Sequence, residues 1–229
     1  MQIPFYAVGQ VLKLGVPTTV LLSLSSLMIF SFNAILNSFS STAVAVFGVS
    51  ARVTGLFYAI VNAVCSAAMP VIAFNHGAKN KKRIDASIRY GYLYSVILMS
   101  VGTVICCGFP GWIMRIFNAT DEMMGIGIAA MRTLSVLFPA VALKNMSTCI
   151  IQALGHSVQS MAVDLTRNYL LLIPLAFLFS RTGVLGTVWY SIPVADLLSA
   201  ILGLVLVRRY YRKDIAGLSE AKTIETQNQ

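Results

Sequence analysis

Apolar residues recur along this chain in six runs of about twenty, separated by short polar or basic connections, rather than as the one-sided stripe of a surface helix. The runs extend from Leu14 to Leu36, Val53 to Phe74, Tyr90 to Phe109, Thr133 to Ala153, Met161 to Phe179 and Gly186 to Val207. At a helical rise of about 1.5 Å per residue each crosses a hydrocarbon core of about 30 Å. The pattern predicts an all-α fold, a polytopic membrane bundle of six transmembrane helices over residues 1–213. The remaining stretch, 214–229, is a polar tail with too little apolar surface to fold alone.

Composition supports that reading. The chain is 57% apolar and 11% charged with a mean hydropathy of +0.78, whereas a soluble domain carries about a quarter charged residues. The first apolar run is too long for a cleavable signal and leads straight into further spans. A net charge of +9 would raise nucleic acid as a partner in a soluble protein. Here the basic residues gather at span ends, where lipid headgroups and the positive-inside bias account for them, so no nucleic-acid partner is expected.

Their distribution predicts the orientation. On the side of the termini lie Lys13, Lys79, Lys81, Lys82, Arg83, Arg89, Arg167, Arg208, Arg209, Arg212, Lys213 and Lys222; opposite are Arg52, Arg115, Arg132 and Arg181, and Lys144 is left inside. Both termini are therefore expected in the cytoplasm and the bundle in the cell's inner membrane. The connection from His76 to Arg83 is short and basic, with Gly77 available to end its helix in a left-handed conformation. The connection from Pro110 to Glu122 carries Trp112, which suggests a short interfacial helix.

Lipid cannot solvate the polar residues within these spans. In the first, Thr19, Ser23, Ser26, Phe30, Asn33 and Asn37 follow steps of 4, 3, 4, 3 and 4, a single helical face. The second carries Tyr58, Asn62, Ser66 and Met69 on a similar face, and the fourth presents Phe138, Asn145, Cys149 and Gln152 beside Lys144. Two readings stay open for these faces: hydrogen-bonded packing between helices, or the wall of a water-filled cleft. In the second reading Asn33, Asn37, Asn62, Lys144, Asn145, Gln152 and Asp196 are the cleft candidates, and the polar faces meet on one concave side.

Ionisable side chains near mid-span cost about 2.5–3.5 kcal/mol on insertion scales, so they need a partner or a cavity. Lys144 lies eleven residues from Thr133 and Asp196 ten from Gly186, about 15 Å deep in each case. Equal depth predicts that the two pair, either as a structural ion pair or as a site where protonation or cation exchange changes the packing. Pro193, three residues before Asp196, frees the carbonyl of Trp189 and predicts a bend there. Asp164 and Arg167, one turn apart near a span end, are expected to pair with each other.

No Ser/His/Asp arrangement, glycine-rich phosphate loop or metal-spaced His/Cys cluster occurs, so neither an enzyme nor a metal site is expected. Cys65, Cys106, Cys107 and Cys149 fall inside apolar runs and read as small core residues.

Several stretches taken together resemble the second half of multidrug and toxic compound extrusion (MATE) transporters. Leu12-Lys13-Leu14-Gly15-Val16-Pro17 is similar to the start of the family's seventh helix, and Pro70 through Asn80 with Arg83 to the loop closing its eighth. Gln152-Ala153-Leu154-Gly155, Arg167, Ile173-Pro174-Leu175, Gly183 through Trp189 and Asp196 resemble helices ten to twelve. The resemblance covers residues 5 to 213. It implies one six-helix lobe of a twelve-helix antiporter that exports amphipathic organic cations against H⁺ or Na⁺ around a central cleft. It implies no cofactor beyond the coupling ion, and a second lobe, from another copy or a separate chain, as partner. Two further readings compete: a non-transporting fragment or accessory membrane protein, and half of a lipid-linked sugar flippase. The flippase would need several cationic residues in its cleft, and Lys144 is one.

Overall fold

A computed structural model describes residues 26–215, and every element among them is helical. In chain order these are α1 (Ser26–Asn37), α2 (Ser41–Gly77), α3 (Lys81–Gly108), α4 (Pro110–Ile116), α5 (Asp121–Ser135), α6 (Phe138–Ala153), α7 (Ser157–Leu165), α8 (Ile173–Ser180), α9 (Leu185–Trp189) and α10 (Ser191–Tyr210). A π-helical turn, Thr166–Leu172, joins α7 to α8 without a break, and a second, Tyr211–Ile215, continues α10. Helical order thus runs two residues past the expected lobe boundary, while the rest of the polar tail lies outside the described residues.

Four continuous helical runs are long and apolar enough to cross a membrane: Ser41–Gly77, Lys81–Gly108, Ser157–Ser180 and Leu185–Ile215. Helices α5 and α6 make a fifth if the pair, bent by 46°, counts as one span. The first expected span, Leu14 to Leu36, is represented by α1 at its end, with the remainder outside the described residues. A short helix does form between Pro110 and Glu122, as expected: it is α4, and its Trp112 is exposed.

Side chains close the connections. Ser40 Oγ accepts from the Ala43 N–H at 3.0 Å, Asn80 Oδ1 from Arg83 at 3.3 Å and Thr120 Oγ1 from Met123 at 3.4 Å, capping α2, α3 and α5. The expected left-handed Gly77 is corrected: Gly77 is the last residue of α2, and Lys79 takes the positive φ of 52°. Asn80 donates its N–H to the Asn75 carbonyl at 2.9 Å and caps α3 with its side chain, so the reversal falls on the residue between the two caps. Gly155, at φ 91°, closes α6 in the same way, with the His156 N–H on the Ile151 carbonyl at 3.1 Å.

Prolines bend one of the spans and make two others irregular. The fourth expected span, Thr133 to Ala153, is not one straight helix: Pro139 has no N–H to donate and its ring crowds the Ser135 carbonyl, so the chain turns at Val136 and Leu137. The freed Ser135 carbonyl accepts from Thr103 Oγ1 of α3 at 2.9 Å. Pro174 follows the π turn, where the same missing donor widens the helix, and the break at Tyr190 lies three residues before Pro193, where a bend was expected.

Helix α6 is the hub, packed against α2, α3, α7 and α10 and buried along most of its length. Small residues let the backbones approach, as lipid-embedded helices require. A Cβ at Gly203 of α10 would come within 2.9 Å of Ser147 Cβ on α6, and one at Gly91 of α3 would collide with Met146. Polar links cross the same interfaces: Tyr92 Oη to Ser147 Oγ at 2.8 Å, and Ser160 Oγ donating to the Thr148 carbonyl at 3.0 Å.

Candidate functional site

Helices α6, α7 and α10 carry the mid-span charges, and their connectivity corrects two expectations. Lys144 Nζ donates to Asp164 Oδ1 at 2.6 Å, and Arg167 Nε donates to Asp196 Oδ1 at 2.8 Å. Lys144 therefore does not pair with Asp196, and Asp164 does not form its ion pair with Arg167.

The cause is depth. Reckoned from the shared end of the bundle, Lys144 is nine residues from Ala153, Asp164 seven from Ser157, Arg167 ten from Ser157 and Asp196 fourteen from Tyr210. These offsets correspond to about 13, 10, 15 and 21 Å. Asp196 thus lies about 8 Å farther from that end than Lys144. Helix α7 starts at Ser157, four residues before the expected span, which draws Arg167 from a span end toward the interior. Its long guanidinium arm covers the remaining offset to Asp196.

The two pairs differ in solvent contact. Arg167 and Asp196 retain 14% and 5% of their side-chain exposure, and Arg167 Nη1 also donates to Asn168 Oδ1 at 2.8 Å. Lys144 retains 11%, but Asp164 retains 48%. Burial makes the first pair costly to break, about 3–5 kcal/mol when one partner is removed. The second has one half-open carboxylate, so its partner is exchangeable at lower cost.

That carboxylate faces a cavity of about 680 Å³ whose wall includes Met28, Tyr58, Lys144, Gln152, Asp164 and Arg167. A smaller cavity of about 280 Å³ lies against Ser50, Thr54, Phe138 and Asp196, and shares Met28, Tyr58 and Arg167 with the first. Of the expected cleft residues, Lys144 and Gln152 line the larger cavity and Asp196 the smaller. Asn33, Asn37, Asn62 and Asn145 line neither. Asn37 and Asn62 are exposed elsewhere, Asn145 is half-buried with its carbonyl accepting from Cys65 and Thr148, and Asn33 Oδ1 is buried without a hydrogen-bond partner among the described residues. Asp164, Arg167 and Tyr58 are the cavity residues that were not expected there. The clue lay in the count: two carboxylates and two cations on three apolar helices require two pairs, and the short spacing from Asp164 to Arg167 hid them as a local one.

A family model, MatE, matches residues 17–178. The chain belongs to the MatE family. Multidrug export protein MepA of Staphylococcus aureus (strain N315) is 24% identical over 228 residues, 95% of this chain and 47% of that protein. MepA of Staphylococcus saprophyticus is 21% identical over 217 residues, again 47% of its length. This MatE chain thus spans about half the length of the curated relatives it matches. Among solved structures, the inward-facing conformation of a multidrug resistance MATE family transporter of the MOP superfamily superposes with a TM-score of 0.86 at 20% identity, covering 96% of this chain and 50% of that one. A MOP superfamily transporter from Pyrococcus furiosus, described as having a binding pocket of reverse polarity that suggests a different function, matches with a TM-score of 0.81 at 20% identity, over 95% of this chain and 49% of that one. The fold is that of a MATE transporter lobe, with four or five helices long and apolar enough to cross a membrane among the described residues.

The pairing has a measurable signature. Asp196→Asn and Arg167→Met should each lower the melting temperature of the purified protein in detergent, whereas Arg167→Met with Asp196→Leu should recover most of the loss. Adding Lys144→Met to Asp196→Asn should recover nothing; recovery there would mean that Lys144 is the partner of Asp196.

Proposed function

We propose that this chain is one of two lobes enclosing a transport cleft, and that the complete pair exports amphipathic organic cations in exchange for H⁺ or Na⁺ by alternating access. The observation that carries this reading is the half-open Asp164 on the wall of the larger cavity, held by Lys144. An arriving organic cation or a proton can take the place of the ammonium at that carboxylate, and loss of the ion pair loosens α6 from α7. Arg167–Asp196, buried and held on both sides, acts as the fixed strut against which the exchange occurs. The half-length match to MepA and to the solved MATE structures supports a second lobe, from another copy or another chain. The chain needs no cofactor beyond the coupling ion in this scheme, and no catalytic role is assigned to it. Asn33, Asn37, Asn62, Asn145 and Gln152 remain candidates for the face that meets the second lobe, with the amphipathic substrate between.

A second reading, half of a lipid-linked sugar flippase, draws on one observation: the larger cavity is lined by two cations, Lys144 and Arg167, against one carboxylate, Asp164.

Inverted membrane vesicles carrying the chain together with a complementary lobe separate the two. A fluorescent amphipathic cation should accumulate under an imposed H⁺ or Na⁺ gradient, and Asp164→Asn with Lys144→Met, which leaves no unpaired charge, should abolish that accumulation at normal protein levels. Undiminished accumulation in the double variant would refute the exchange scheme, and movement of an anionic lipid-linked sugar in place of the dye would favour the flippase.

We also propose that the bundle lies in the inner membrane with both termini cytoplasmic, as the basic residues at its span ends require. In a background lacking the native cysteines, Asn80→Cys should resist an impermeant thiol reagent applied from outside and Thr182→Cys should react; the reverse would invert the topology.

A further inference from the structure

Away from the ion pairs, the far end of α10 carries a cradle of four cations. Arg208, Arg209, Arg212 and Lys213, with Val205, line a shallow cavity of about 490 Å³. All four charged side chains are exposed, and none forms a salt bridge among the described residues. Their spacing, with like charges one turn apart, is self-repelling in the absence of a bridging anion.

Among the described residues, the two carboxylates at this end of the bundle, Asp214 and Asp85, are engaged elsewhere. Asp214 Oδ2 lies 2.8 Å from His156 Nε2, whose ring stacks on Tyr210 with centroids 4.0 Å apart. Asp85 Oδ1 accepts from Tyr211 Oη at 2.6 Å. Ile215 is fully buried. These contacts tie the closing π turn to α3 on one side and to the connection between α6 and α7 on the other. The cationic side chains are thereby held on the outward face rather than being a free charged tail.

The surface beside the cradle identifies the kind of anion. Leu197, Leu198, Ile201, Leu204 and Val205 are 38% to 59% exposed and run along α10 toward the same cavity. A cationic cradle at the end of an apolar stripe of about 12 Å matches a molecule with a phosphate at one end and acyl chains at the other. We propose that Arg208, Arg209, Arg212 and Lys213 form a binding site for the headgroup of an anionic phospholipid, with its acyl chains along the exposed face of α10. The phosphodiester draws the four cations together and relieves their mutual repulsion. A zwitterionic lipid offers the same phosphate but adds an ammonium that they repel.

Native mass spectrometry of the full chain in detergent, titrated with phosphatidylglycerol, tests this. The protein should retain one phosphatidylglycerol in preference to phosphatidylcholine. Arg208→Gln with Arg212→Gln should weaken that binding roughly thirtyfold, since each basic residue near a headgroup contributes about a factor of five. Arg208→Lys with Arg212→Lys should retain most of the binding, which separates charge recognition from a folding defect. Arg52→Gln with Arg115→Gln, an equal loss of charge at exposed positions elsewhere, should leave it unchanged. Inorganic phosphate at the same concentration should neither bind in the lipid's place nor displace it. The site is overturned if the Gln pair binds as the unaltered chain does, if the Arg52/Arg115 pair weakens binding equally, if phosphatidylcholine binds as well, or if phosphate alone displaces the lipid.

Discussion

Lipid offers no water to a charged side chain, so each charge within the bundle must find its counter-charge inside it. Helix α7, with the π turn that continues it, meets that demand for both of its neighbours. Asp164 reaches Lys144 on α6 and Arg167 reaches Asp196 on α10, so one helix with one residue of each sign joins three. If this continuous run carried only one sign, one neighbouring charge would stay unpaired at a cost of several kcal/mol. The arrangement also separates a buried pair from a pair open to a cavity, and that asymmetry gives the chain both a rigid joint and an exchangeable one.

The prolines are part of the same geometry. Pro139 lies five residues before Lys144, Pro174 seven after Arg167 and Pro193 three before Asp196, so each charge-bearing span is irregular close to its charge. Such breaks are tolerated in lipid where neighbouring groups satisfy the freed carbonyls, as Thr103 does for Ser135. Discontinuous helices around buried ions are a recurrent way to build sites in transporters.

The fold was legible in the sequence because apolar runs of membrane length are a strong signal, and the short basic connection after α2 and the short helix α4 followed from turn and headgroup chemistry. Depth was much less legible. Counting Lys144 from Thr133 assumed a straight helix, whereas the chain enters α5 at Asp121 and turns before Pro139. Arg167 was placed at a span end because apolar composition begins at Met161, but the helix begins at Ser157, where polar residues still line the larger cavity. The reversal after α2 fell on Lys79 although a glycine was available, because Asn80 has to serve two helices. In each case a local rule was overruled by a constraint from a neighbouring element.

The claim that α7 and the π turn after it join α6 and α10 through Asp164 and Arg167 is tested most directly by cross-linking. Cysteine pairs at 144 and 164, at 167 and 196, and at 144 and 196 would be placed in a background without the native cysteines and treated in the membrane with a bifunctional thiol reagent of short spacer. Intramolecular cross-links are expected for the first two pairs and not for the third. A cross-link between 144 and 196, with none between 144 and 164, would contradict the account.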